Sequence, residues 1–206
     1  MTRTRTRGQA AAAALVLATV LAACAGGPAD GPATPTATGD TSLDATSGDD
    51  PTTDVPFAAG GSPVTADPSA DAALVVTDVR VSRHDGFDRV VLDLEGEGAP
   101  GWDVGYEDAP ADDGSGEPVR VDGDGVLRVR LSGMAMPGED PDVTEYDGAT
   151  IDPEGTEAVE EVVYRFWFEG YTTAYVGVDE PGLPFRVFAL EDPARVVVDV
   201  QDPTDD

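Results

Sequence analysis

Val126-Leu127-Arg128-Val129-Arg130-Leu131 alternates with a strict period of two. Leu127, Val129 and Leu131 fall on one side and Arg128 and Arg130 on the other, the pattern of a β-strand that buries one face. Just upstream, Asp122-Gly123-Asp124-Gly125 supplies the positive-φ residues of a tight hairpin. The same period recurs in both directions along the chain. In Val75-Val76-Thr77-Asp78-Val79-Arg80-Val81, Val75, Thr77, Val79 and Val81 are expected to face inward and Asp78 and Arg80 outward. Val159–Phe168 and Thr172–Asp179 read as an antiparallel pair joined through Glu169-Gly170-Tyr171. In the first of these, Val162, Tyr164, Phe166 and Phe168 share one face, while Glu161, Arg165 and Trp167 take the other. Phe185–Leu190 and Arg195–Val200 form a last pair across Glu191-Asp192-Pro193-Ala194, where proline presets φ for a turn. No segment reads as an amphipathic helix longer than about two turns, and the most helix-like, Thr156–Val162, is rich in valine. The fold class is therefore all-β.

One strand echoes another. Arg89-Val90-Val91-Leu92-Asp93-Leu94 returns as Arg195-Val196-Val197-Val198-Asp199-Val200. Arginine and aspartate four residues apart on a strand point to the same side. Either β-rich chains reuse such strands by chance, or the two occupy related positions in two sheets packed face to face.

Residues 72–206 hold 12 of the 13 aromatic side chains, enough apolar matter for one core in a domain of about 135 residues. Upstream, residues 24–71 read as a tether. From Ala25 to Asp71, 43 of 47 residues are Ala, Asp, Thr, Pro, Gly or Ser, and the exceptions are Leu43, Val55, Phe57 and Val64. Four scattered apolar residues cannot offset the entropy of ordering such a stretch, so disorder is expected. Residues 1–23 read as an export signal: Arg3, Arg5 and Arg7 precede an apolar run from Ala10 to Leu21 that is too short to span a bilayer.

Charge removes several function classes. The chain has 206 residues, 41 Asp+Glu, 12 Lys+Arg (all arginine), one His and one Cys, for a formal net charge of -29. Such a surface repels nucleic acid. Without lysine there is neither Schiff-base chemistry nor a Walker-type phosphate loop. One His and one Cys do not make an internal disulfide or a zinc site of the usual kinds, and no cofactor is implied. The 41 carboxylates make any pair chosen as a glycoside-hydrolysing dyad uninformative, because separation in space decides that chemistry. His84, in Ser82-Arg83-His84-Asp85-Gly86, reads as an exposed turn histidine, with no Gly-x-Ser-x-Gly elbow to partner it. Calcium is a candidate for Asp112-Asp113-Gly114-Ser115-Gly116-Glu117 or for Glu139–Asp147, although neither has the spacing of an EF-hand loop, and solvated acidic loops are the simpler expectation.

Two motifs carry resemblances. Leu21-Ala22-Ala23-Cys24 resembles the lipobox of bacterial lipoproteins. It implies cleavage before Cys24 and a diacylglyceryl thioether on it, anchoring the chain at the extracytoplasmic face of the cell membrane; two acyl chains hold where one binds marginally. The strings Val79-Arg80-Val81, Asp88-Arg89-Val90-Val91-Leu92-Asp93-Leu94 and Phe188-Ala189-Leu190-Glu191-Asp192-Pro193-Ala194-Arg195-Val196-Val197-Val198-Asp199-Val200 resemble the AMIN and AMIN-like domains of bacterial envelope proteins, over about residues 74–202. That resemblance implies a sandwich of two small sheets and a non-catalytic domain that binds peptidoglycan or related envelope material. The chain departs from the short family pattern through two acidic insertions, Asp108–Pro118 and Ser132–Glu157. A glycan site joins an aromatic platform to planar polar groups. Trp102, Trp167, Tyr171 and Tyr175 are the candidate platforms and Arg89 and Arg195 the candidate donors, with Trp167 first because it lies opposite Tyr164, Phe166 and Phe168. The partner is then cell-wall glycan or, as the alternative, an exported protein docked by a structural adaptor.

Overall fold

The structure, a computed structural model, describes residues 54–203. The leader and Cys24 lie outside the described residues. Ten strands form two antiparallel sheets: β1 (Val64–Ala66), β2 (Ala73–His84), β3 (Phe87–Glu97), β4 (Gly101–Tyr106), β5 (Gly125–Ser132), β6 (Thr150–Ile151), β7 (Val159–Phe168), β8 (Tyr171–Val178), β9 (Phe185–Leu190) and β10 (Arg195–Gln201). The larger sheet runs β1-β4-β5-β8-β7-β6 and the smaller β2-β3-β10-β9. A short 3-10 turn, Ala59–Gly61, is the only helical element among the described residues. Leu127, Val129, Leu131, Val162, Tyr164 and Val176 of the larger sheet meet Val79, Val90, Leu92, Val196, Val198 and Val200 of the smaller in one buried core. This is an all-β fold, as the period-two pattern implies, and the two-sheet β-sandwich that the AMIN-like resemblance implies.

The two echoing strands are neighbours in one sheet, which overturns the alternative that places them in opposite sheets. β10 pairs antiparallel with β3, setting Asp199 opposite Arg89 and Arg195 opposite Asp93. Reversal of direction sets the arginine of each motif across from the aspartate of the other; Arg89–Asp199 closes as an ion pair, while Asp93 is held by Arg80. Asp199 also lies opposite Arg186 of β9. Its fully buried carboxylate accepts from Arg89 Nε (2.6 Å) and Nη2 (3.0 Å) and from Arg186 Nε (2.8 Å). These residues lie on the face of the small sheet away from the main core. Val91, Phe188 and Val197 form a second apolar cluster there, with Val55 packed on it. The Arg186 guanidinium sits 4.5 Å from the Phe57 ring centroid, and Ala58 bridges Phe185.

Residues 24–53 of the expected tether lie outside the described residues, but its last part is folded. Residues 54–71 belong to the folded body: Val55 and Phe57 cover the small sheet, and Val64 packs on the main core from β1. Three of the four apolar exceptions in the expected tether thus belong to the folded body.

Three local expectations also change. A register shift between Val76 and Asp78 turns Leu74 and Val76 into the core and Val75 out of it, while Val79 and Val81 keep their expected side. Asp122–Gly125 is not a hairpin turn, because residues 107–124 intervene between β4 and β5. Instead Asp124 N–H donates to Val178 O at the end of β8. The β9–β10 turn has Asp192 at φ 53° and a cis peptide before Pro193, in place of a trans proline turn.

The Asp199 node generates a stability prediction. Asp199→Ala leaves the buried Arg89 and largely buried Arg186 guanidiniums without their shared acceptor and should cost about 3–5 kcal/mol. Arg80→Ala, which removes a half-exposed partner of Asp93, should cost below about 1 kcal/mol. Urea unfolding checks both, and comparable costs for the two would contradict the assignment.

Candidate functional site

The end of the β7–β8 hairpin gathers the exposed aromatics. Glu169 (φ 49°) and Gly170 (φ 84°) form a two-residue turn with both φ positive, closing Phe168 onto Tyr171. Between Arg165 and Phe168 the register shifts. An extra residue in one strand reverses its pleat. Phe166 and Phe168, expected inside, are 49% and 37% exposed, and Tyr171 is 38% exposed. Trp167, expected as the leading exposed platform, packs against the core, and its indole N–H donates to Met134 O at 3.1 Å. Aromatic residues on both predicted faces of one strand were the signal of this reversal.

Tyr171 forms one wall of a cleft of about 390 Å³ whose other walls are Trp102 and Asp103 of β4, Arg130 and Ser132 of β5, and Thr65–Pro68. Its ring carries the Arg130 guanidinium 3.9 Å from the centroid, a stacked cation–π contact. Asp67 and Asp103 add acceptors and Ser132 a hydroxyl. Trp102 packs on the core opposite Leu131, so it lines the cleft from the sandwich side rather than as a free platform. Arg130 Nε and Trp102 Nε1 are buried N–H donors with no acceptor in the protein. A Cβ at Gly101 would come within 2.5 Å of Pro68 and of Ser132 Oγ, so glycine there lets the segment before β2 close over β4.

The remaining candidates lie elsewhere. Tyr175 is on the same outer sheet face but is only 2% exposed, sealed by the first acidic insertion. Its hydroxyl donates to Ala111 O at 2.6 Å. Asp112 accepts two bonds from Arg165, at 2.6 and 2.8 Å, and Asp113 accepts from the Thr173 hydroxyl at 2.7 Å. This insertion is a docked cover rather than a solvated loop, its two aspartates engaged by the sheet. In the second insertion, Glu145 Oε1 accepts from the Tyr164 hydroxyl and from Trp167 N–H. Among the described residues no cluster of three or more His, Cys, Asp or Glu side chains is arranged to hold a metal. Arg89 is consumed in the Asp199 node, and Arg195 Nε donates to Pro193 O at 3.2 Å, so neither reaches the Tyr171 cleft. His84 stacks on Phe87 and contacts Ser82 Oγ at the β2–β3 turn.

The AMIN-like domain model matches residues 74–202, and the chain belongs to that family. No curated protein and no solved structure matches it. The cleft borrows Thr65–Pro68 from upstream of the matched region, and Tyr171 and Arg130 lie within it. No helix among the described residues is long and apolar enough to cross a membrane.

Buried tyrosines give the domain an alkaline signature. Desolvation pushes Tyr106 up to about 12, and raises Tyr164, where Glu145 adds to the effect, and Tyr175. Unfolded tyrosine ionises near 10. Between that value and the raised native ones the unfolded state holds fewer protons, so the contribution of these groups is full below about pH 10 and is lost as pH rises through the native values. With no lysine in the chain, tyrosine dominates this range. The urea midpoint should fall steadily from pH 10 to 12; a constant midpoint would contradict the burial.

Proposed function

We propose that this protein is a lipid-anchored, non-enzymatic envelope protein whose AMIN-like domain binds peptidoglycan or another cell-wall glycan in the Tyr171 cleft. Family membership supports envelope association. The observation that carries the site is the half-exposed Tyr171 ring backed by Arg130 in a cleft rimmed by Asp67, Asp103 and Ser132. An aromatic face accepts the apolar face of a sugar ring, and the surrounding carboxylates and hydroxyl accept or donate to its edge hydroxyls. The unpartnered N–H groups of Trp102 and Arg130 are two further donors that a ligand or water satisfies when the walls adjust.

The anchor is read from Leu21-Ala22-Ala23-Cys24. With residues 1–23 removed, nine arginines stand against 41 acids, a net -32, and anionic head groups push such a domain away from the bilayer. Cys24 holds the chain to the membrane while charge drives the domain outward toward the wall. The role of a protein-docking adaptor is the alternative within the same location.

Co-sedimentation with purified peptidoglycan tests the cleft. Tyr171→Ala should reduce retention at least about tenfold, on the order of 1.4 kcal/mol, without loss of folding, since the ring is half-exposed. Trp167→Ala should instead lower stability through lost packing. Undiminished retention of Tyr171→Ala would remove the cleft from the account, and no retention of the wild type would favour the adaptor. In the same cells, Cys24→Ser should abolish incorporation of labelled fatty acid.

A further inference from the structure

Two cavities of about 410 and 520 Å³ adjoin at the end of the small sheet, and Glu95 and Gly96 of β3 line both. Sharing these two residues, they lie side by side from residues 135–143 of the second insertion, past the ends of β2 and β3, to the β9–β10 turn, and are treated together as one groove. Its floor is apolar: Val75, Met136 and Val143 at one end, Leu94, Pro100 and Leu190 at the other. Val75 reaches this face because the β2 register shift turns it out of the core, opposite Glu95. Met136, 52% exposed, is the most exposed large hydrophobic side chain among the described residues.

The rim has one sign of charge. Glu95, Glu97, Glu139, Asp140, Glu191 and Asp192 line the groove and no arginine does. None of the six is ion-paired to an arginine among the described residues, whereas Asp93, Asp112, Asp199 and Asp202 are each held by one. Carboxylates around a low-dielectric floor focus a negative potential that discriminates strongly between partners.

We propose that this groove is a second binding site, independent of the Tyr171 cleft, for an extended segment of another exported protein in which lysine or arginine alternates with apolar residues. On an extended strand such a segment presents its apolar side chains to the floor, and the long stems of the cations on its other face bend over to reach the rim. A second copy of this chain is a poor occupant. It has no lysine, a net charge of -29, and its Arg80, Arg83, Arg89, Arg165 and Arg186 are engaged in ion pairs. Anionic lipid is repelled, and a neutral glycan leaves the rim charge unmet.

Titration calorimetry of the full-length chain with a synthetic octapeptide alternating lysine and valine tests the proposal. The wild type should bind it and ignore the glutamate–valine counterpart. The quadruple variant Glu95→Gln, Glu97→Gln, Glu139→Gln, Asp140→Asn should bind at least about tenfold more weakly. A second variant, Asp152→Asn, Glu154→Gln, Glu160→Gln, Glu180→Gln, loses the same charge from exposed sites outside the groove and should retain most of the affinity. Melting curves of both variants confirm folding. Equal losses in the two variants would reduce the effect to net charge and overturn the site, as would absence of binding by the wild type. Dimerisation of the wild type that the groove variant abolishes would assign the groove to a second copy and overturn the proposal.

Discussion

Asp199 is where the small sheet is held together. Its carboxylate has no contact with water, and a charge in that position persists only with partners on every side. Those partners come from the two flanking strands: Arg89 from β3 and Arg186 from β9, each directly opposite it in register. A slip of either strand by one residue would send an arginine into the main core and leave the carboxylate alone. The node thereby fixes the register of three strands at once, and with it which valines meet the larger sheet. It also explains why residues 54–58 lie where they do. The guanidiniums need cover on their outer side, and Phe57, with the Val55 carbonyl accepting from Arg186, supplies part of it.

Fold class was legible because the pleat writes a period of two into the chain wherever one face is buried. Leu127, Val129 and Leu131 are buried and Arg128 and Arg130 partly exposed, as their spacing implies. The same rule misplaces residues where a strand carries an extra residue. At Thr77 and again near Phe166 the phase reverses, and no single residue type announces that reversal. Unbroken alternation therefore puts Trp167 on the exposed face and Phe166 and Phe168 on the buried one, the reverse of what the shifted strand does. The Arg/Asp echo was visible, but its geometry was not, because spacing along a strand says nothing about which strand lies alongside. The tether boundary was half-visible: Val55, Phe57 and Val64 stood out as apolar residues without the partners that give them purpose.

The candidate site was legible in part. Tyr171 and Trp102 were singled out as aromatics and do line one cleft, from opposite sides of the β4–β5 surface. Arg130 was overlooked as a binding residue because alternation marked it only as an outward charge. Its stacking on Tyr171 depends on β5 and β8 being neighbours, a long-range pairing that the sequence pattern does not encode. Tyr175 fails as a platform for a related reason. The acidic insertion that looked like a solvated loop folds back on the sheet, since Arg165 and Thr173 offer its aspartates better-organised partners than water does.

The two surfaces suit different chemistries. The Tyr171 cleft mixes a stacked cation, an aromatic face and acceptors; the groove at the end of the small sheet joins an apolar floor to one sign of charge. The central claim is that the cleft is where cell-wall glycan is recognised. Backbone-amide NMR of the isotopically labelled protein, titrated with a soluble disaccharide–peptide fragment of peptidoglycan, tests it most directly. The account predicts saturable shifts concentrated in residues 65–68, at Trp102 and Asp103, at Arg130–Ser132 and at Tyr171. Shifts confined to other faces of the sandwich, or none at saturating fragment, would contradict it.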